Sequence, residues 1–136
     1  DLSLLGDFTL VVDCDVLQAD GGTRTASINA ASLALVQAVQ TMQYRKMIVT
    51  DPIKHLIGAI SCGVVNGTEV LDLDYQEDSN AESDLNVVRA PNGVVEVQGT
   101  SEGVLLTDDQ LQTCLTLAKK GIDEIHTKLQ ENIIKK

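Results

Sequence analysis

The stretch Asp20-Gly21-Gly22-Thr23-Arg24-Thr25 has the residue types of an anion site at the start of a helix. Glycines let the backbone approach a ligand closely, the free amides of a helix start point at it, and an arginine adds a two-pronged donor. The bland reading stays open beside it: Gly-Gly is a common turn, and Thr23 or Thr25 could do no more than cap the helix. The stretch is not a P-loop, because no Gly-Lys-Ser/Thr follows. A second group, Asp72, Asp74, Glu77, Asp78, Glu82 and Asp84, sets six carboxylates within thirteen residues. Oxygen-rich clusters of this kind hold hard cations such as Mg²⁺, which in phosphoryl transfer neutralise charge on substrate oxygens. The order does not fit a calcium-binding EF-hand loop. Asp72 and Asp74 are expected to share one face of a strand, where solvation alone explains them. A metal site requires two of the six to converge.

Several elements must bring these groups together. Phe8–Asp15 (FTLVVDCD) is β-rich and leads straight into the glycine turn, after which Ile28, Ala31, Leu35, Ala38, Val39 and Met42 repeat at helical spacing over Thr25–Met42. Leu56–Val65 and Glu69–Asp74 are strand candidates joined at Asn66-Gly67, a pair suited to a type I′ hairpin because both positions accept positive φ. Asn66-Gly67-Thr68 also spells a glycosylation sequon, which the hairpin reading outweighs in the absence of a secretion signal. Leu85–Ala90 and Val94–Gly99 form a second expected hairpin through Pro91-Asn92-Gly93. A long helix is expected from Thr107, with Gln110 as its capping-box partner and an apolar stripe of Leu111, Cys114, Leu115, Ala118, Ile122, Ile125, Leu129 and Ile133. Lys135 and Lys136 then suit the negative end of its dipole. The expected class is α+β: a mostly antiparallel sheet of about five strands packed with two long helices, in one domain over residues 1–136.

Composition narrows the function. The net charge of −10 opposes a broad basic surface for nucleic acid, and one Phe, two Tyr and no Trp leave few platforms for stacking bases. No apolar run is long enough for a membrane span and no signal peptide is readable, so a cytoplasmic location is expected. Cys14, Cys62 and Cys114 are too scattered in sequence for a disulfide framework or close metal spacing and are expected to be buried, reduced thiols. His55 and His126 are expected to be solvated surface residues, His126 on a polar helix face.

The two chemical groups occur within a longer ordered series. Cys14-Asp15-Val16-Leu17-Gln18-Ala19-Asp20-Gly21-Gly22-Thr23-Arg24-Thr25-Ala26-Ser27 comes first, followed by Leu73-Asp74-Tyr75 and Glu77-Asp78-Ser79. Asp84-Leu85-Asn86-Val87-Val88 comes next, and then Glu96-Val97-Gln98-Gly99-Thr100 with Glu102-Gly103. This series resembles the C-terminal portion of the ribonuclease PH family, and the resemblance runs from residue 8 to residue 130. It implies a ribosomal protein S5 domain 2-like, ribonuclease PH-like fold. It also implies phosphorolysis: a phosphate-dependent 3′-to-5′ exoribonuclease, or tRNA nucleotidyltransferase, that trims RNA 3′ ends, especially those of tRNA precursors, and releases nucleoside diphosphates.

By the same resemblance Gly22, Thr23 and Arg24 bind inorganic phosphate, the co-substrate, and Asp78 and Asp84 are catalytic and hold Mg²⁺ or Mn²⁺. Family members carry a further N-terminal half of comparable fold, which supplies another phosphate-contacting arginine, basic RNA contacts and part of the surface that closes a hexameric ring of identical subunits. None of that half precedes Asp1, so an unpaired edge or apolar face is expected here. A non-catalytic RNA-binding or assembly module of the same fold, like the inactive ring subunits of exosome-type complexes, is the competing reading. A general Mg²⁺-dependent hydrolase using the acidic cluster alone is a third. The phosphorolytic mechanism requires Arg24 and the Asp78/Asp84 pair to share one cleft.

Overall fold

The computed structural model describes residues 1–134, so Lys135 and Lys136 lie outside the described residues. After a short 3₁₀ turn at Leu2–Leu4 come helix α1 (Thr23–Tyr44), strands β1 (Gly58–Val65) and β2 (Thr68–Leu71) and a short helix α2 (Tyr75–Ser79). Strands β3 (Ser83–Ala90) and β4 (Gly93–Ser101) and the long helix α3 (Asp108–Ile134) follow. The sheet is antiparallel throughout, in the order β2-β1-β3-β4. The α+β class therefore holds, with four strands rather than five among the described residues.

Both hairpins form where the turn residues demand. Val65 pairs with Thr68 across Asn66 (φ 50°) and Gly67 (φ 71°), the two positive φ values a type I′ turn needs. Ala90 pairs with Gly93 across Pro91-Asn92, and the register slips at Val88/Arg89 in a bulge. Helix α3 begins at its expected capping box: the Thr107 amide donates to Gln110 Oε1 (3.1 Å), and the Gln110 amide donates to Thr107 Oγ1 (3.2 Å).

Alternation along β1 and β3 divides the sheet into two unlike faces. Ile60, Cys62, Val64, Leu85 and Val87 point toward α3 and close a core with its Cys114, Ala118 and Ile122. Gly121 lets the helix approach closely, since a Cβ there would lie 2.6 Å from Ile60 Cδ1. On the opposite face Ala59, Ser61, Asp84 and Asn86 look toward the start of α1. Strand β2 pairs with β1 only from Cys62 onward, so Ala59 has no neighbour strand on that side. The Asn29 side chain takes that place: Nδ2 donates to the Ala59 carbonyl and Oδ1 accepts from the Ala59 amide, both at 2.8 Å. The far half of α1 packs Val39 and Met42 against Leu5 and Ile48 in a separate cluster.

Three expectations are corrected. Phe8–Asp15 is not a strand: no strand pairs with it. It runs beside α1, with a cavity of about 610 Å³ lined by residues from Val12–Gln18 and by Ala26, Ala30, Ala31 and Ala34. β-prone side chains alone cannot make a strand without a neighbour for the backbone groups, and Val11 and Leu17 stay 87% and 99% exposed. His126 is buried, one turn beyond Ile122 on the same face of α3, against Gly58, whose missing Cβ makes the room. Its Nε2 has no hydrogen-bond partner among the described residues. Cys14 is exposed, whereas Cys62 and Cys114 are buried as expected. Burial, followed by the neighbouring Cys114, pushes the Cys62 thiol up to about 12.

Candidate active site

The glycine turn is bound to the acidic segment by backbone contact. Asp20 Oδ1 accepts from the amide of Gly21 at 2.8 Å and from that of Tyr75, the first residue of α2, at 2.7 Å. Gly21 lies so close to the crossing chain that a Cβ would stand 2.0 Å from the Leu73 carbonyl oxygen. Gly22 has φ 68°, in the left-handed region that glycine alone adopts freely. A Cβ on Gly22 would also meet Ser61 Oγ and Thr25 Oγ1, each at 3.1 Å.

These contacts bear on whether the threonines cap the helix. Gly22 is the N-cap of α1, and no side chain caps it. The Thr23 hydroxyl donates to the Asp20 carbonyl and that of Thr25 to the Gly22 carbonyl, both at 2.8 Å. Neither threonine takes an amide of the first turn, so those donors and the positive end of the dipole remain open.

The six carboxylates divide by what they touch. Asp74 and Glu77 form a capping box around α2: Asp74 Oδ1 accepts from the Glu77 amide (2.8 Å) and Glu77 Oε2 from the Asp74 amide (3.0 Å). Asp72 and Asp74 share no strand face, because β2 stops at Leu71 and Asp72 turns away with φ 59°. Asp78, Glu82 and Asp84 remain, and of these Asp78 and Asp84 line a cleft of about 200 Å³ together with Asp20, Gly22, Thr23, Arg24, Ser61 and Asn86. They also line an adjoining, strongly polar hollow of about 290 Å³ with Glu82 and Glu102. Burial, followed by the negative charge of Asp78, holds the Asp84 carboxyl above the usual carboxylate range.

The convergence that the mechanism requires is therefore present: Gly22, Thr23 and Arg24 come from the start of α1, Asp78 from α2 and Asp84 from β3. Three neighbours were not picked out from sequence. Ser61 and Asn86 line the cleft, and Glu96 on β4 pairs with Arg24, Nη2 to Oε1, at 2.8 Å. Asn86 had a signal, since strand alternation places it beside Asp84; Glu96 opens one of the ordered motifs, but nothing in the sequence without strand register pairs it with Arg24.

No group of three or more His, Cys, Asp or Glu side chains is arranged to hold a metal among the described residues. Asp78 and Asp84 nevertheless line one cleft, and carboxylate oxygens are the ligand type that a hard cation takes alongside water and phosphate oxygens. No helix among the described residues is long and apolar enough to cross a membrane.

Comparison with known proteins agrees with this architecture. The crystal structure of rice (Oryza sativa) Rrp46 superposes with a TM-score of 0.72 at 24% sequence identity, covering 88% of this chain and 52% of that one. The chain thus spans about half the length of the solved structure it matches. Residues 55–121, from the approach to β1 through Gly121 of α3, match the family model described as 3′ exoribonuclease family, domain 2. The resemblance to the C-terminal portion of ribonuclease PH is borne out: residues 55–121, the stretch that supplies Ser61, Asp78, Asp84 and Asn86 to the cleft, are similar to domain 2 of the 3′ exoribonuclease family.

Proposed function

We propose that this chain forms the phosphate- and metal-holding part of a phosphate-dependent 3′-to-5′ exoribonuclease acting on RNA 3′ ends, those of tRNA precursors included. The observation that carries the reading is one cleft with Arg24 and an uncapped helix start on one side and Asp78 and Asp84 on the other. In the reaction an oxygen of hydrogen phosphate bonds to the terminal phosphorus of the RNA and the bond to the preceding 3′ oxygen breaks. The proton of hydrogen phosphate balances the departing 3′ hydroxyl, and the product is a nucleoside diphosphate. Both partners are anionic, so the barrier is largely like-charge repulsion and misplacement. Arg24 and the amides at the start of α1 bind and orient the attacking phosphate. Asp78 and Asp84 would hold Mg²⁺ or Mn²⁺, which when bound neutralises charge on the scissile phosphate. Ser61 and Asn86 add neutral polar groups to the wall, where further carboxylates would repel the substrate.

Among the described residues Arg24 is the sole cationic side chain lining the cleft, beside three carboxylates. Basic contacts for RNA must then come from elsewhere, and the unpaired apolar run along α1 supports assembly with another segment or with identical subunits in a ring. The same observation favours a second reading, a non-catalytic assembly module of this fold. An RNA-shortening assay with added phosphate and Mg²⁺ separates them. The enzyme reading expects nucleoside diphosphate from the parent, with a loss of at least roughly 10²-fold in kcat for Asp84→Asn and for Arg24→Gln. Absence of nucleoside diphosphate, with Asp84→Asn indistinguishable from the parent, overturns it. A stable monomer that binds no phosphate then leaves the assembly module.

A further inference from the structure

Arg24 has three carboxylates within its own cleft, Asp20, Asp78 and Asp84, yet it pairs with none of them. Its partner is Glu96, which does not line the cleft and reaches it from the edge strand β4, Nη2 to Oε1 at 2.8 Å. The sheet register sets up that choice. Asp84 stands opposite Thr100, Asn86 opposite Gln98 and Val88 opposite Glu96, so Glu96 shares the face of Asp84 and Asn86 but lies along the strands from them, toward the Pro91-Asn92 turn. Both members of the pair are about half exposed, at 45% and 43%. Such a pair contributes little to folding. Its geometric effect is larger, because the guanidinium is a rigid plane with five N–H donors, and fixing one nitrogen fixes the direction of the others.

We infer that Glu96 is a positioning residue: it holds the Arg24 guanidinium away from the Asp78/Asp84 pair and turns its remaining donors toward an anion in the cleft. Without it the carboxylates that line the same cleft are the partners left to Arg24, and a guanidinium resting on them would occupy the place of the phosphate. The inference rests on the phosphate reading above and assigns a further residue to it.

The test uses the 136-residue chain, its Glu96→Ala and Glu96→Gln variants, and inorganic phosphate as the probe. Side-chain ¹⁵N relaxation of the Arg24 Nε–H group reports how firmly the guanidinium is held, and calorimetric titration reports phosphate affinity. Expected are an ordered Arg24 in the parent, a mobile one in Glu96→Ala with phosphate binding weakened roughly ten-fold, and recovery to within about three-fold in Glu96→Gln, which keeps an acceptor oxygen in place. Where turnover is measurable, the change falls on the phosphate KM and leaves kcat near the parent value. Phosphate binding in the parent that Glu96→Ala leaves unchanged overturns this inference and spares the phosphate reading, as does an Arg24 equally mobile in all three proteins. A parent with an ordered Arg24 that binds no phosphate overturns the phosphate reading, and the positioning role with it.

Discussion

The two faces of the sheet are built on different terms. Toward α3, the alternating apolar residues of β1 and β3 meet an apolar helical stripe, and Cys62, Val87, Cys114, Ala118 and Ile122 are all fully buried. Toward α1, the same two strands present Ser61, Asp84 and Asn86 to a cleft, and the N-terminal segment beyond the helix leaves apolar side chains in solvent. The difference teaches where stability and chemistry reside. One face drives folding by burial, and the other holds polar groups in place by hydrogen bonds and backbone contact, at some cost in exposed apolar surface.

The widest gap between the faces lies in thiol reactivity. Cys14, on the open side, is expected to react at the rate of an exposed thiol, while Cys62 and Cys114 wait for unfolding, slower by a factor on the order of 10³ or more. Timed labelling followed by mass spectrometry counts one fast and two slow sites; three fast sites would show that the α3 face opens readily.

Core truncation draws the same contrast in stability. Ile122→Ala is expected to cost about 4 kcal/mol, whereas Leu17→Ala, at a side chain 99% exposed, should cost nearly nothing. Denaturant titration of both variants measures the difference, and equal losses would mean that the N-terminal run is covered in solution.

A smaller effect, about 2 kcal/mol, is expected for Gly21→Ala, because the Leu73 carbonyl must move to admit the methyl group. Its damage should concentrate on the cleft: amide exchange at Tyr75 and Asp78 should accelerate while the β1–β3 ladder keeps its protection. Uniform acceleration would instead make this glycine part of the main folding unit.

Much of this protein is determined by its sequence alone. Two adjacent residues that tolerate positive φ force the Asn66-Gly67 hairpin, and the spacing of Thr107 and Gln110 caps α3 wherever the helix packs. The helical stripe from Leu111 onward faces the sheet because nothing else can bury it, and the ordered motifs carry the family resemblance. Phe8–Asp15 shows the limit of such local signals. Strand formation depends on a neighbour to accept the ladder, which no property of the run itself reveals. The burial of His126 is hidden from its own segment for a related reason: it follows from the absence of a Cβ on Gly58, a residue far away in the chain.

The site divides in the same way. Gly22, Thr23, Arg24, Asp78 and Asp84 were legible as residue types and motifs, but their meeting in one cleft is a tertiary fact, made by Asp20 and Gly21 gripping the chain at Leu73–Tyr75. The motifs singled out Asp78 and Asp84, and the fold shows why they differ from Asp74 and Glu77, which cap α2 while Asp78 and Asp84 line the cleft. Only the strand register brought Glu96 to Arg24, since side chains so far apart in the chain meet by sheet geometry and not by any local preference of either segment.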